Sequence, residues 1–330
     1  MNVSVDWRWV RKDGIGRFSR EVVSRFCSTV TRISPNTSLF NPLEQILLPL
    51  ELRNTKTDLF FTPGINPPLF AGVPFVFVIH DLIPLSFSEE TSLFKKGYYN
   101  TILRLAVRQA EHILTVSTFS KQEIVNWSGT DPDRITVVGN GVDERFSPDG
   151  PVPERASPYL LYVGNTRPHK NVEAAIRGYA QSGIANEVRF VLSGRPEADL
   201  RAVIRECGVE DRVDFAHFIP EDDLPAYYRG ATALVHPSLH EGFGLPVLEA
   251  LASGTPVVAS NATAIPEVAG EAALLFDPTD LYDIAASIRT IVLDETVQEQ
   301  LRTRGLERAR MFSWDRVARR TESALREAVR

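Results

Sequence analysis

The chain has 330 residues, 43% of them hydrophobic and 24% charged, and a net charge of −6, a balance ordinary for a soluble globular protein. At this length two domains of roughly 150 residues each are expected. No apolar stretch reaches the roughly 20 residues of a membrane span, the N-terminus lacks the apolar core of a signal peptide, and Cys27 and Cys207 are too few for a disulfide framework. A cytoplasmic location is therefore expected.

The charge is unevenly placed. Residues 1–150 hold 16 basic and 16 acidic side chains, whereas residues 151–330 hold 20 and 26 and carry the whole excess. A short N-terminal strand leads to Gly14-Ile15-Gly16-Arg17-Phe18, with a helix expected from near Arg17. Glycines there let a backbone approach a phosphate at the positive end of a helix, although a tight turn needs the same residues. Phe75 to Ile79 is a continuous apolar run that reads as a buried strand and delivers His80 and Asp81 to its end. A histidine so placed can touch a substrate or pack against its neighbours without doing chemistry. FKKGYYNTILRLAVRQAEHIL, from Phe94, reads as a helix carrying Lys95, Lys96, Arg104 and Arg108. With the seven basic against three acidic residues of 1–32, it gives the first half two basic clusters. They fit a peripheral contact with an anionic membrane face or, equally, solvated helix faces.

His112 to Val116 and Arg134 to Val138 read as further strands. Between them Asp131-Pro132-Asp133 has the D-x-D form that some sugar-transfer enzymes use for a divalent cation, but its turn-like context argues against ligation. No metal and no nucleic acid partner are expected. Residues 147–158, SPDGPVPERASP, form a linker by composition and divide the chain into 1–147 and 159–312.

The pattern then restarts. Tyr159 to Val163 closes on Gly164, Val188 to Leu192 on Ser193-Gly194, Ala233 to Val235 on His236-Pro237, and Pro256 to Ala259 on Ser260. Continuous apolar strands separated by helical segments imply parallel sheets covered on both faces, so the fold class is α/β, doubly wound twice. Ligands of such sheets bind beyond the carboxyl ends of the strands. After the first of these strands, Arg167 and Lys170 lie in the loop Gly164 to Asn171, where two cations could neutralise a diphosphate leaving group. A final helix is expected from Ser313, which suits its N-cap.

The most informative stretch is EGFGLPVLE, residues 241–249. It joins a Gly-x-Gly loop to a helix start, with Pro246 suited to the first helical turn and Gly254 to the C-terminal cap. Glycines before a helix N-terminus leave N–H groups and a positive dipole end for a phosphate. Glu241 in the loop and Glu249 on the helix make sense beside such a site if the ligand also carries hydroxyls, as a sugar nucleotide does.

These elements resemble, in order and over most of the chain, the retaining glycosyltransferases of family 4. EGFGLPVLE resembles that family's E-x7-E element, VGNTRPHKN its phosphate loop and DGIGRF its N-terminal glycine loop; IHD, VSTFSKQEI and the GNGVD turn at 139–143 resemble further recurrent elements. The resemblance implies a GT-B fold, two Rossmann-like domains facing a cleft, with residues 313–330 crossing back to the first domain. It implies that Glu249 holds ribose hydroxyls and Glu241 the hydroxyls of the transferred sugar. Gly242, Phe243, Gly244 and Leu245 would position sugar and phosphate, with Gly194 also on the donor side. Lys170, with Arg167, would bind the diphosphate; Gly14 and Gly16 would approach it from the first domain, and His80 would lie near the transferred sugar. One departure is Asn165, where family members commonly carry Arg.

The activity so implied is a retaining, metal-independent hexosyl transfer from a sugar nucleotide, closest to mannosyltransferases of bacterial polysaccharide synthesis. GDP-mannose is the expected donor, a glycan or lipid-linked glycan the acceptor, and no cofactor is expected. A non-hydrolysing sugar-nucleotide epimerase and a catalytically silent sugar-nucleotide-binding protein remain as alternatives. A nicotinamide dehydrogenase is disfavoured, since neither half shows G-x-G-x-x-G after its first strand.

Overall fold

The computed structural model describes residues 1–10, 14–87, 91–155, 157–195 and 197–329. They form two compact units: Met1–Gly141 together with Ser313–Arg330, and Val142–Phe312. Among the described residues no helix is long and apolar enough to cross a membrane.

The first unit is built on β1 (Asn2–Asp6), β2 (Thr29–Ile33), β3 (Leu59–Thr62), β4 (Phe75–Ile79), β5 (His112–Thr115) and β6 (Ile135–Val137). They pair in the order β2-β1-β3-β4-β5-β6, every pairing parallel. Parallel strands need crossover helices on both faces, so the central β4, FVFVI, is buried along its whole length. Its core gathers Phe60, Phe77, Ile79, Ile113, Leu48, Leu103 and Ile124.

The second unit holds β7 (Tyr159–Tyr162), β8 (Arg189–Leu192), β9 (Val213–Phe215), β10 (Ala233–His236), β11 (Val257–Ser260) and β12 (Leu274–Phe276). The order is β12-β11-β10-β7-β8-β9, again all parallel. Successive strands run one way from β7 and then return to its other side at β10, the doubly wound topology with its switch point between β7 and β10. The corresponding switch point of the first unit lies between β1 and β3.

Three boundaries differ from the sequence expectation. The helix expected near Arg17 spans Gly14–Val23, so both glycines belong to its first turn. The basic segment from Phe94 is not one helix: Leu93–Tyr98 and Arg104–Gln109 are α-helical, and Tyr99–Leu103 between them is wound as π-helix. The units join at Gly141–Val142, upstream of the proline-rich stretch. That stretch is tied to the second unit. Arg229 donates to the carbonyls of Pro151 (2.9 Å) and Ser147 (3.3 Å), and Phe146 packs edge-on against Tyr228.

The helix Trp314–Glu327 belongs to the first unit and packs on Gly14–Val23 and β5. Ser313 caps it by accepting from the Arg316 amide. Asp315 pairs with Arg25 at 2.8 Å, and Glu322 accepts from the Cys27 amide and the Ser28 hydroxyl. Gly141 sits against its start, where an added Cβ would lie 2.4 Å from the Trp314 backbone nitrogen.

Candidate active site in the second unit

The loops that follow β7 and β10 lie at the switch point of the second sheet, and they bring two of the sequence-nominated residues together. Lys170 ends a short 3-10 turn, Pro168–Lys170, and its Nζ donates to Glu241 Oε1 at 2.6 Å. The same oxygen accepts from Ser238 Oγ at 2.8 Å and from His236 Nε2 at 3.0 Å. The backbone N–H of Glu241 donates to Thr263 Oγ1. All of the side chain's hydrogen bonds thus fall on one oxygen. Oε2 makes none among the described residues and is not shut off from solvent.

Burial by itself would raise the pKa of Glu241. The Lys170 charge, with hydrogen bonds from His236 and Lys170, outweighs it and holds the carboxyl far below the usual carboxylate range. Glu241 is therefore an ionised acceptor and no proton donor at neutral pH. Nε2 of His236 faces the carboxylate oxygen, and its buried Nδ1 has no partner among the described residues. His236 and His240 stand four apart, a spacing that gathers metal ligands on a helix, but one ends a strand and the other lies in a loop. Among the described residues no three His, Cys, Asp or Glu side chains gather as a metal set. In the D-x-D segment Asp131 accepts from the Asp133 amide and caps the turn Pro132–Arg134.

Behind Glu241 the chain enters the helix Leu245–Ala252. Gly244 is its N-cap with φ +102°, a backbone conformation that favours glycine, and a Cβ there would also press on Ile265 Cδ1 at 2.6 Å. Leu245 and Pro246 open the first turn; Gly242 and Phe243 are buried, Phe243 with its ring edge-on to Phe312. Glu249 is buried on the inner face of this helix and accepts from Tyr228 Oη at 2.9 Å.

The loop of residues 164–171 is held from both sides. Asn171, at φ +55°, donates to the carbonyls of Pro237 (3.2 Å) and Pro278 (2.8 Å), and Leu239 N–H donates to His169 O. Ser193 Oγ accepts from Gly164 N and donates to Gly164 O. Gly194 lies beside it at φ +97°, but its N–H is spent on His217 O, so this amide is not offered to a ligand. Arg167 is exposed, and its side chain makes no hydrogen bond among the described residues. Asn165 places no cation: its Oδ1 accepts from the Arg167 amide, and its carbonyl from Tyr162 Oη.

The remaining nominated residues belong to the first unit. Gly14 is exposed and Gly16 buried in the first turn of their helix. His80 follows β4, with Nε2 at 2.8 Å from Pro63 O and its ring edge-on to Phe18 at 5.1 Å. Sequence reasoning gives no role to His236, Ser238, Thr263 or Tyr228. His236 ends β10 and Ser238 lies two residues on, a position whose topology alone marks it; Thr263 and Tyr228 carry no such mark.

Comparison with known proteins agrees with this geometry. Residues 144–308 match the family of group 1 glycosyl transferases, and residues 10–146 match Glycosyltransferase Family 4. The O-antigen chain mannosyltransferase B of Escherichia coli is 33% identical over 76% of this chain and 69% of its own. The serotype-specific mannosyltransferase WbdA of Escherichia coli is 31% identical over 74% of this chain, which spans only 32% of that protein's length. The MMP alpha-(1->4)-mannosyltransferase of Mycolicibacterium hassiacum is 32% identical over 71% of this chain and 58% of its own. Among solved structures, HepE of Anabaena in complex with UDP and glucose superposes with a TM-score of 0.79 at 18% identity, over 99% of this chain and 100% of that one. Sucrose-phosphate synthase of Thermosynechococcus elongatus gives 0.78 at 19%, over 99% and 98%. The chain belongs to the glycosyltransferases of group 1 and family 4, whose GT-B fold its two parallel-sheet units carry.

Proposed function

We propose that the protein is a retaining, metal-independent mannosyltransferase that uses GDP-mannose and extends a glycan or lipid-linked glycan acceptor. The observation that carries this reading is the one-sided bonding of Glu241. Three donors fix Oε1, and the open Oε2 is then a rigid, ionised acceptor suited to sugar hydroxyls. Because the carboxylate is held ionised, it orients the sugar and leaves proton transfer to other groups. Lys170, the exposed Arg167 and the positive dipole end of the helix Leu245–Ala252 supply positive charge for a departing diphosphate. Glu249 receives the ribose hydroxyls. The choice of mannose and guanine rests on the relatives, three of which are named mannosyltransferases.

Thermal shift against GDP-mannose, UDP-glucose and UDP-N-acetylglucosamine tests the donor. A ligand at 100 times its Kd stabilises by about 2.7 kcal/mol, so GDP-mannose should give the largest shift; a larger one with either uridine nucleotide would reject the guanine assignment. Retention is tested by the anomeric configuration of the product, and a β-mannoside would overturn it. Removing the Tyr228 hydroxyl by Tyr228→Phe should weaken GDP binding roughly fivefold, the worth of about one net hydrogen bond that positions Glu249. Glu249→Ala should weaken it further, and calorimetry showing unaltered affinity in both variants would reject the ribose role.

A further inference from the structure

The loop from Glu241 to Gly244 runs between two walls of the second unit. One is the segment from Thr263 through the helix Ile265–Ala269. Thr263 Oγ1 accepts from the Glu241 amide at 3.0 Å, and Ile265 Cδ1 lies 2.6 Å from the place of a Cβ on Gly244. The other wall is Phe312, the last residue of the unit, whose ring meets the buried Phe243 edge-on with centroids 5.9 Å apart. Neither wall is held by a helix of its own. Ile265–Ala269 has five residues, fewer than a helix needs to be stable alone, and Phe312 lies beyond the end of the helix Glu295–Ala309.

Arg308 joins the two walls. Its Nε donates to Val268 O at 3.0 Å and its Nη2 to Glu267 O at 2.6 Å. These are terminal carbonyls that a helix leaves without partners, and a charged donor bonds them more strongly than a neutral one. The same guanidinium lies over the Phe312 ring, its carbon 5.1 Å from the centroid, and Nη1 donates to Met311 Sδ at 3.4 Å. Among the described residues no carboxylate pairs with Arg308. Gly270 leaves it room, since a Cβ there would come within 3.4 Å of Nε and 3.5 Å of Cζ. The helix that carries Arg308 also packs on Leu245–Ala252, where Gly305 fits against Leu251.

We propose that Arg308 is a positioning residue of the transfer reaction: it ties Phe312 to the helix Ile265–Ala269 and so holds Phe243, with Glu241 and Gly244 around it, in the shape that receives the donor. For the donor the assignment rests on the function proposed above; for the shape of the loop it does not. Lysine cannot replace Arg308, because a point ammonium does not reach two carbonyls and cover a ring at once.

Hydrogen exchange of the free, full-length protein tests the loop without any ligand. Arg308→Ala, Arg308→Lys and Phe312→Leu should each speed exchange in residues 241–248 by about fivefold, a factor usual for residues coupled through a shared contact. The helix Val172–Gln181 should keep its wild-type rates. Arg304→Ala, which removes a bond from the same helix to Glu271 O without touching Phe312, should change neither region. Should Arg308→Ala fail to fold, Arg308→Lys and Phe312→Leu carry the test. Calorimetry with GDP-mannose then reads the donor: affinity should fall about fivefold in Arg308→Ala and in Phe243→Leu, and no further in the double variant, because both cut one path. Wild-type exchange in residues 241–248 of these variants would overturn the tie, and so would exchange raised equally throughout the unit. Additive losses in the double variant would overturn the path through Phe243. A wild type that does not bind GDP-mannose would reject the donor assignment, and the exchange rates would still decide the tie.

Discussion

Replacing Lys170 by alanine is expected to lower turnover at saturating donor by at least about tenfold, or roughly 1.4 kcal/mol of barrier. The same change removes the cation 2.6 Å from a buried carboxylate, and breaking such a pair costs about 3 kcal/mol of stability at neutral pH. The two effects separate by pH. In the wild type the folded pKa of Glu241 is depressed, so its ionised form contributes stability that is present above the ordinary value of 4.5 and is lost as pH falls toward the folded value. Without Lys170 only the donors His236 and Ser238 still oppose burial, so the depression is smaller and the variant gains less stability as pH rises. The stability gap between wild type and variant should therefore be widest at pH 7 and narrow below about pH 4.5. Denaturant unfolding at pH 7 and pH 4 measures this gap. A constant gap would reject the ion pair as its source, and unchanged turnover in the folded variant would remove Lys170 from the chemistry.

Gly141→Ala should damage the first unit without touching the second. The added Cβ would sit 2.4 Å from the Trp314 nitrogen and 2.8 Å from the Ser313 carbonyl carbon, both backbone atoms that no rotamer change can move. Overpacking of this kind costs up to about 3 kcal/mol, which lowers the transition of a unit this size by about 6–12 °C. Calorimetry should show the transition of the first unit shifted, with faster amide exchange along Trp314–Glu327. Wild-type exchange in that helix would show that the close approach is not needed.

How far the chain can be read without coordinates depends on how far apart the interacting groups stand. β4, β5, β7, β8, β10 and β11 announce themselves as continuous apolar runs because they are the inner strands of parallel sheets. Three of the four edge strands are silent: β2 mixes exposed, half-buried and buried residues without a period, and β9 and β12 are three residues long and only partly buried; β6 alone among them shows as an apolar run. Local chemistry behaves in the same way. Pro246, Gly244 and Glu249 lie within one turn and its approach, so their spacing carries the helix start. The bond between Lys170 and Glu241 spans 71 positions, and that between Tyr228 and Glu249 spans 21; no spacing rule announces either. The sequence nominates Lys170 and Glu241 separately, and only the topology of β7 and β10 explains why the structure seats one on the other.

The interleaving of the two units also orders their assembly. Val142–Phe312 is continuous and can complete its sheet as soon as it has been made. The first unit cannot, because Trp314–Glu327, with Val317, Thr321 and Leu325 buried, is synthesised after all of the second. At about 5–20 residues per second, nascent β1–β6 wait roughly 10–40 s for that covering. The unit that begins first on the ribosome is thus the last to close. A chain released early, after Phe312, would carry a finished second unit and an apolar wound on the first, the kind of surface that chaperones hold and proteases find.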